Sequence, residues 1–329
     1  MDNLTHSLVG LFLARAGCKY ATPRGTAIMV IAANAPDSDI VCTLFGSAAY
    51  IEGHRNITHS LIALPVMALL SVALVRWLGK QPVRWLPAFL IAMIAVASHL
   101  ILDLTNVYGV RLLLPFSGHW YHWDSTPVID IVLWAILLAG TAGPWFGKLV
   151  GGEIGEKRTS TGGGWAVLAL LLVSTYDYGR SILHDRAVAT MDSRIYHGLS
   201  PRRVAAFPQT NPLVWNGLAE LSDSYAVVPI DLRTEFRPDS AETFYKPERS
   251  HPLLAAMETY PFQKFLEFVL YPVWVVEPSP DHPGATLVRL VDLRFGTPAE
   301  AGFQAVATVN SQNQILDSFF TFGNPRRPR

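Results

Sequence analysis

Cysteine and net charge are what this chain has least of. Cys18 and Cys42 are the only two cysteines in 329 residues. They cannot build a disulfide framework or a thiolate metal site, and both read as unpaired buried thiols. Charged residues make up 16% of the sequence, and 26 Lys and Arg balance 26 Asp and Glu. Without a basic excess there is no field to attract a polyanion, so nucleic acid is not an expected partner. No secretory leader is expected either. The opening "MDNLTHSLVGLFLARAG" lacks a basic n-region, and its apolar stretch contains His6 and ends at Arg15 without a cleavage site. Internal repeats and low-complexity tracts are missing as well.

Apolar residues, by contrast, make up 50% of the chain, with a mean hydropathy of +0.26. That is too apolar for an ordinary soluble enzyme, and the distribution is uneven, which implies membrane and soluble parts in one chain. Four segments are long enough to cross a bilayer, for which about 20 residues are needed: roughly 60–78, 86–107, 127–146 and 164–183. Two shorter apolar pieces, 4–16 and 25–35, fit a re-entrant helical hairpin sheltered by the other helices. Basic residues cluster in the turns: Arg15, Lys19 and Arg24 in the first, Arg76, Lys80 and Arg84 in the next, then Lys148, Lys157 and Arg158. The positive-inside rule makes those turns cytoplasmic and sends the opposite helix ends outward.

Beyond about residue 186 prolines and charges return. "VWVVEP", "ATLVRLVDLRF" and "FQAVATVNSQNQILDSFFTF" are rich in β-formers with some period-2 alternation. The expected fold is therefore an α-helical membrane domain over 1–185 and a mostly β, extracytoplasmic domain over 186–329, in the cytoplasmic membrane.

The ionisable residues of the first half are placed one-sidedly. Up to Gly147 the acids are Asp2, Asp37, Asp39, Glu52, Asp103, Asp124 and Asp130, and the histidines are His6, His54, His59, His99, His119 and His122. All map to outer helix ends or outer loops under this topology. In "ASHLILDLTN", His99 and Asp103 stand at i and i+4, on one helix face. In "NAPDSDI", Asp37 and Asp39 repel one another unless a cation or proton lies between them. "GHRNITHS" adds His54, His59 and the guanidinium of Arg55. Imidazole and carboxylate are the ligands of zinc and other divalent first-row metals. His6, Asp37, Asp39, His54, His59, His99 and Asp103 together exceed one tetrahedral ion and suggest a site of two or three, zinc by ligand type, with manganese or magnesium as alternatives. Taken singly, His6 is a helix-terminal polar residue and Asp37 and Asp39 a turn or cap feature. Their convergence on one side favours the metal.

A multi-metal centre suits phosphoester hydrolysis by activated water, with Asp37 or Asp39 doubling as general base. Arg55 is then either a bidentate phosphate clamp or an anchor at headgroup level. His119 and His122, in "GHWYHWDSTP", belong to an interfacial aromatic belt or to a substrate rim. Asp130 is either an outer partner of the ligands or a helix-start carboxylate. His184, His197, His251 and His282 show no partner pattern.

At "MDNLTHSLVG", "NAPDSD", "HRNITHSL" and "HLILDLTNVYG", in that order, the chain resembles the YdjM-like family of membrane-bound metal-dependent hydrolases, some described as LexA-regulated. The resemblance covers about the first 130 residues, and "PVIDIVLW" fits the family habit of an aspartate entering the next span. A second similarity, in ligand pattern alone, is to the all-helical zinc-dependent phospholipase C and nuclease superfamily, although not every ligand of its trinuclear site has an equivalent here. Together they imply a membrane metallohydrolase acting on a lipid or lipid-linked phosphoester, with membrane lipids as its surroundings. Two other functions fit the same residues: a metal transporter, or a non-enzymatic anchor with a structural metal site.

Overall fold

A computed structural model describes residues 1–79, 82–153 and 162–323. Lys80, Lys157 and Arg158 of the basic turns lie outside the described residues, as does the side chain of Lys148.

Asp2 starts the first helix, α1 (Asn3–Ala16), by accepting the backbone N–H groups of Leu4 and Thr5, which satisfies two of the donors a helix start leaves free. α2 (Gly25–Asn34) returns beside it. The two pack closely because of Gly10, where a Cβ would sit 2.8 Å from the Ala33 Cβ and 2.9 Å from the Met29 carbonyl oxygen. A Gly10→Val substitution should push these helices apart and lower stability by about 1–3 kcal/mol, the usual range for overpacking; thermal unfolding in detergent is the measurement. Pro36 ends α2, and the chain continues as 3-10 helix over Pro36–Phe45. That segment buries Asp37 and Asp39 while exposing Ile40, Val41, Leu44 and Phe45.

α3 (Ser47–Gly53) and a short 3-10 turn (Ile57–His59) lead into α4 (Leu64–Leu78), which starts at Pro65's preferred position in a first turn. α5 (Trp85–Leu104), α6 (Ile131–Glu153) and α7 (Gly163–Asp192) complete the helical part. Among the described residues two helices, α5 and α7, are long and apolar enough to cross a membrane, or four segments if each bent pair counts as one span: α2 with Pro36–Phe45, and Ser47–His59 with α4. The four uninterrupted spans expected from hydropathy are thus only partly present. Hydropathy does not see the 90° bend before α4, and it counts Pro127, Val128 and Ile129 into a span although α6 starts only at Ile131, after the Asp130 cap. α7 has 30 residues, about 45 Å of helix, longer than the hydrocarbon layer. Its last turns, through Ala187 and Met191, pack on the β-rich part around Trp215 and Ile230.

Two four-stranded antiparallel meanders follow: β1 (Arg203–Pro208), β2 (Val214–Glu220), β3 (Ser224–Asp231) and β4 (Glu242–Tyr245), then β5 (Pro272–Pro278), β6 (Thr286–Asp292), β7 (Phe303–Val309) and β8 (Ile315–Phe322). Helices α8 (His251–Met257) and α9 (Tyr260–Leu266) join them. The second sheet is the one seen in the sequence. In the first, β1 ends on Pro208, β3 carries Pro229 within it and β4 has only 4 residues, which blurs the alternation. Val107, from the loop after α5, is buried in a cluster with Phe207 and Leu218 of one sheet and Val273 of the other. The β-rich part therefore grips the loop that follows His99 and Asp103.

Candidate metal centre

His99 and Asp103 lie one turn apart on α5, both fully buried. His6 from α1, Asp37 from the 3-10 segment and His59 from the short turn meet them there. The His59 and His99 Nε2 atoms are 3.1 Å apart. Asp37 Oδ1 lies 3.4 Å from the former and 3.6 Å from the latter, and Asp103 Oδ2 is 3.4 Å from each. Four atoms around a tetrahedral zinc at about 2.0–2.1 Å would be about 3.3–3.4 Å from one another. The spacing therefore fits a single small divalent ion.

The hydrogen-bond partners behind the rings decide which nitrogens face inward. His99 Nδ1 is 2.8 Å from the Ala33 carbonyl oxygen, which only accepts, so Nδ1 carries the proton. Thr58 Oγ1 donates to Asp39 Oδ2 at 2.8 Å and so accepts from His59 Nδ1 at 3.0 Å. Both Nε2 atoms then present lone pairs to two carboxylate oxygens and to each other. Four acceptors in a dry site repel unless a proton or a metal cation sits among them. Backing of the outer ring nitrogen by a carbonyl or carboxylate is the usual support of a metal-bound histidine. His6 adds a further acceptor: it is 1% exposed, stacks on His99 at 3.8 Å, and neither ring nitrogen has a hydrogen-bond partner.

Asp39 and His54 form a second layer toward the surface. His54 Nδ1 is 2.8 Å from Asp39 Oδ1, while Asp39 Oδ2 also accepts the Arg55 backbone N–H at 2.9 Å. Asp37, Asp39 and His54 could hold an ion as a group, with Asp37 shared between the two sets. In that case the Asp39–His54 hydrogen bond would have to open. Asp39 orients His54 and also His59, whose Nδ1 lies 3.2 Å from Asp39 Oδ2, so Asp39→Asn should weaken metal retention about 10- to 100-fold, the usual effect of losing such support; competition with a chromogenic chelator would measure it.

Arg55 is 2% exposed, too deeply buried for a headgroup anchor. Its backbone adopts a left-handed conformation, φ 54°, which turns the side chain inward. Nη2 donates to Asp103 Oδ1 at 2.9 Å, and Nη1 donates to Asn106 Oδ1 and to the Gly109 carbonyl oxygen at 3.0 and 3.2 Å. The guanidinium carbon lies 4.7 Å from the centre of the Tyr108 ring. The Met1 amino group also contacts Asp103.

The remaining expected site residues lie apart from this cluster. His119 is exposed and packs on Tyr121, and His122 faces Asp124 at 2.9 Å. Between them Trp120 turns into the β-rich part and donates to the Glu267 carbonyl oxygen. Asp130 caps α6 through the N–H groups of Val132 and Leu133 and accepts the Tyr176 hydroxyl, with no contact to the ligands.

Residues the sequence reading passed over complete the surroundings. Thr58, Asn106, Tyr108 and Gly109 all sit inside the motifs "HRNITHSL" and "HLILDLTNVYG", but polar roles in a loop leave no periodic signal. Tyr50 stacks on His54 at 4.6 Å and leans on Phe322 of β8. Glu52 pairs with Lys264 at 2.8 Å and accepts from the Tyr260 hydroxyl at 2.5 Å, contacts that hold its carboxyl below the usual glutamate range. Arg294, paired with Asp292, donates to the Val107 carbonyl oxygen at 3.0 Å and the Phe268 carbonyl oxygen at 2.8 Å.

Residues 1–183, more than half of the chain, match the family described as YdjM inner membrane protein. The chain belongs to that family. The motif resemblance therefore holds, over a longer stretch than the motifs themselves span. The chain is also 25% identical over 330 residues to the uncharacterized protein YfhP of Bacillus subtilis (strain 168), covering 97% of this chain and 94% of that one. It is 34% identical over 119 residues to the inner membrane protein YbcI of Escherichia coli (strain K12), covering 35% of this chain and 67% of that one. No solved structure matches.

Proposed function

We propose that the chain is an integral membrane, metal-dependent hydrolase that cleaves a lipid or lipid-linked phosphoester at the extracytoplasmic surface. The observation that carries this reading is the pair of buried imidazole Nε2 atoms 3.1 Å apart, flanked by Asp37 and Asp103. Asp37, His59, His99 and Asp103 would hold the ion, with His6 beside them. A divalent ion bound there would polarise a phosphoryl oxygen and lower the pKa of an attacking water.

The chain's own residues supply the rest. Asp39 keeps the Nδ1 proton on His54, so that His54 Nε2, at the accessible edge of the cluster, can take a proton from water and return it to the leaving oxygen. Arg55 balances the charge of Asp103. The exposed Ile40, Val41, Leu44 and Phe45 follow Asp37 and Asp39 directly, which suits a substrate presented by a lipid surface.

The proposed orientation rests on the basic turns. Arg24 Nη1 donates to the Val75 carbonyl oxygen, and Arg84 Nη2 to that of Tyr20. These bonds join the first two turns at the helix ends remote from the ligands. A periplasm-active reporter fused after Arg329 should be active, and one that works only in the cytoplasm should be silent.

Elemental analysis of the purified chain, paired with a screen of lipid phosphoesters, tests the reading. About one divalent ion per chain is expected if only the inner set is loaded, and two if Asp39 and His54 join. Absence of metal removes the hydrolase. Metal without turnover on any phosphoester favours the structural-metal anchor.

A further inference from the structure

Two kinds of unpartnered buried atoms surround the Arg55–Asp103 pair. On one side are Asp103 Oδ2 and the His6 ring, whose unprotonated nitrogen is a second acceptor, and these call for a cation. On the other are donors: Arg55 Nε, Asn106 Nδ2 and the Tyr108 hydroxyl, none of which has a hydrogen-bond partner. Arg55, Asn106 and Tyr108 are 2%, 0% and 4% exposed. Leaving buried donors unpaired is costly, and native proteins rarely tolerate several together.

The orientation of Asn106 is fixed. Its Oδ1 accepts from Arg55 Nη1 at 3.0 Å and from the Tyr108 backbone N–H at 2.9 Å, so the Nδ2 group must be the free end. The Tyr108 ring is held by Arg55 on one side and by Phe268 at 4.6 Å on another. Burial raises its phenol above the ordinary value, which keeps the hydroxyl protonated. His54 meets the ring edge-on at 5.6 Å, which places the donor set next to the accessible edge of the metal cluster.

The geometry points to an oxyanion subsite made by Arg55 Nε, Asn106 Nδ2 and the Tyr108 hydroxyl, taking the oxygens of a tetrahedral phosphoryl group. This rests on the phosphoester reading above and extends it, because it assigns Asn106 and Tyr108 to substrate. An oxyanion held among them would give these donors charged acceptors, and a guanidinium beside amide and phenol donors is well matched to a phosphate. Placed next to the ion, the subsite would hold the phosphoryl group in register with the attacking water.

Two substitutions each remove one donor and keep its structural contact. Asn106→Asp preserves Oδ1 for Arg55 and the Tyr108 N–H but exchanges the free donor for an acceptor. Tyr108→Phe keeps the ring over Arg55 and removes only the hydroxyl. Inorganic phosphate titrated calorimetrically into the full-length chain in detergent, with metal content measured on the same samples, is the test. The parent should bind phosphate, and each variant should bind it about tenfold more weakly with unchanged metal content. If one variant fails to fold, the other decides. Parent-like binding by the folded variants, as expected if ordered water alone fills the donors, overturns the subsite, as does a parent that binds no phosphate. A metal-free chain whose phosphate binding still depends on Asn106 and Tyr108 would uphold the subsite while removing the metallohydrolase.

Discussion

Asp103→Ala is expected to empty the metal centre and to destabilise the fold together, whereas Asp37→Ala should empty it alone. Asp103 is fully buried and accepts from Arg55 Nη2 at 2.9 Å. Removing it leaves a guanidinium inside the protein without its counter-charge, a change that costs about 3–5 kcal/mol in comparable buried pairs. Asp37 is 8% exposed, and its near neighbours are the imidazoles of His59 and His99 rather than a fixed cation. Its loss relieves carboxylate repulsion in the metal-free state and orphans nothing of fixed charge. Thermal unfolding in the presence of chelator isolates the fold term, and metal content reports the site. Equal destabilisation by the two substitutions would show that the Arg55 pairing is not what holds Asp103 in place.

The second large effect belongs to a residue far along the chain from any ligand. Arg294→Met should destabilise the protein by about 3–5 kcal/mol, because Asp292, fully buried, loses its partner. It should also weaken metal retention about tenfold, as expected for supports behind the ligands. The path is short: Arg294 holds the Val107 carbonyl oxygen, the adjacent Asn106 and Gly109 hold Arg55, and Arg55 holds Asp103. Adding Asp292→Asn removes the stranded charge and should recover much of the stability, but not the metal affinity. Trp215→Ala, in the β2 cluster against α7, supplies the control. It opens a large cavity and should lower stability without altering metal retention in the folded protein. If metal is lost in proportion to stability in all three variants, the β-rich part supports the fold in general rather than the site.

How much of this was legible beforehand can be judged residue by residue. The His99–Asp103 pair was legible because four residues along a helix always share a face. While the pairing of β7 with β8 came from the structure, the β-rich runs that became them were legible from their composition, with a break at "VNSQNQ" between them. Bent segments were not: an average over apolar residues cannot register the break at Pro36 or the 90° turn before α4. The first sheet was covered by the β-rich reading of the region but not located strand by strand, because β1 ends on Pro208, β3 carries Pro229 and β4 is short. Of the candidate residues, Asp130 turned out to cap its own helix, a role as compatible with its position in the sequence as any other.

By itself, then, the sequence determined the chemical types available, the helices that carry them, the family, and a second part rich in β-structure, since all of these depend on composition, local periodicity and short motifs. Tertiary structure decided which side chains meet. His6, Asp37 and His59 come to His99 and Asp103 across helices whose packing depends on contacts such as Gly10 against Ala33. The fate of Arg55 was decided the same way: a long side chain on a left-handed backbone residue can point to lipid or to core. Here Asp103, Asn106, Gly109 and the Tyr108 ring, held from behind by the β-rich part, draw it inward.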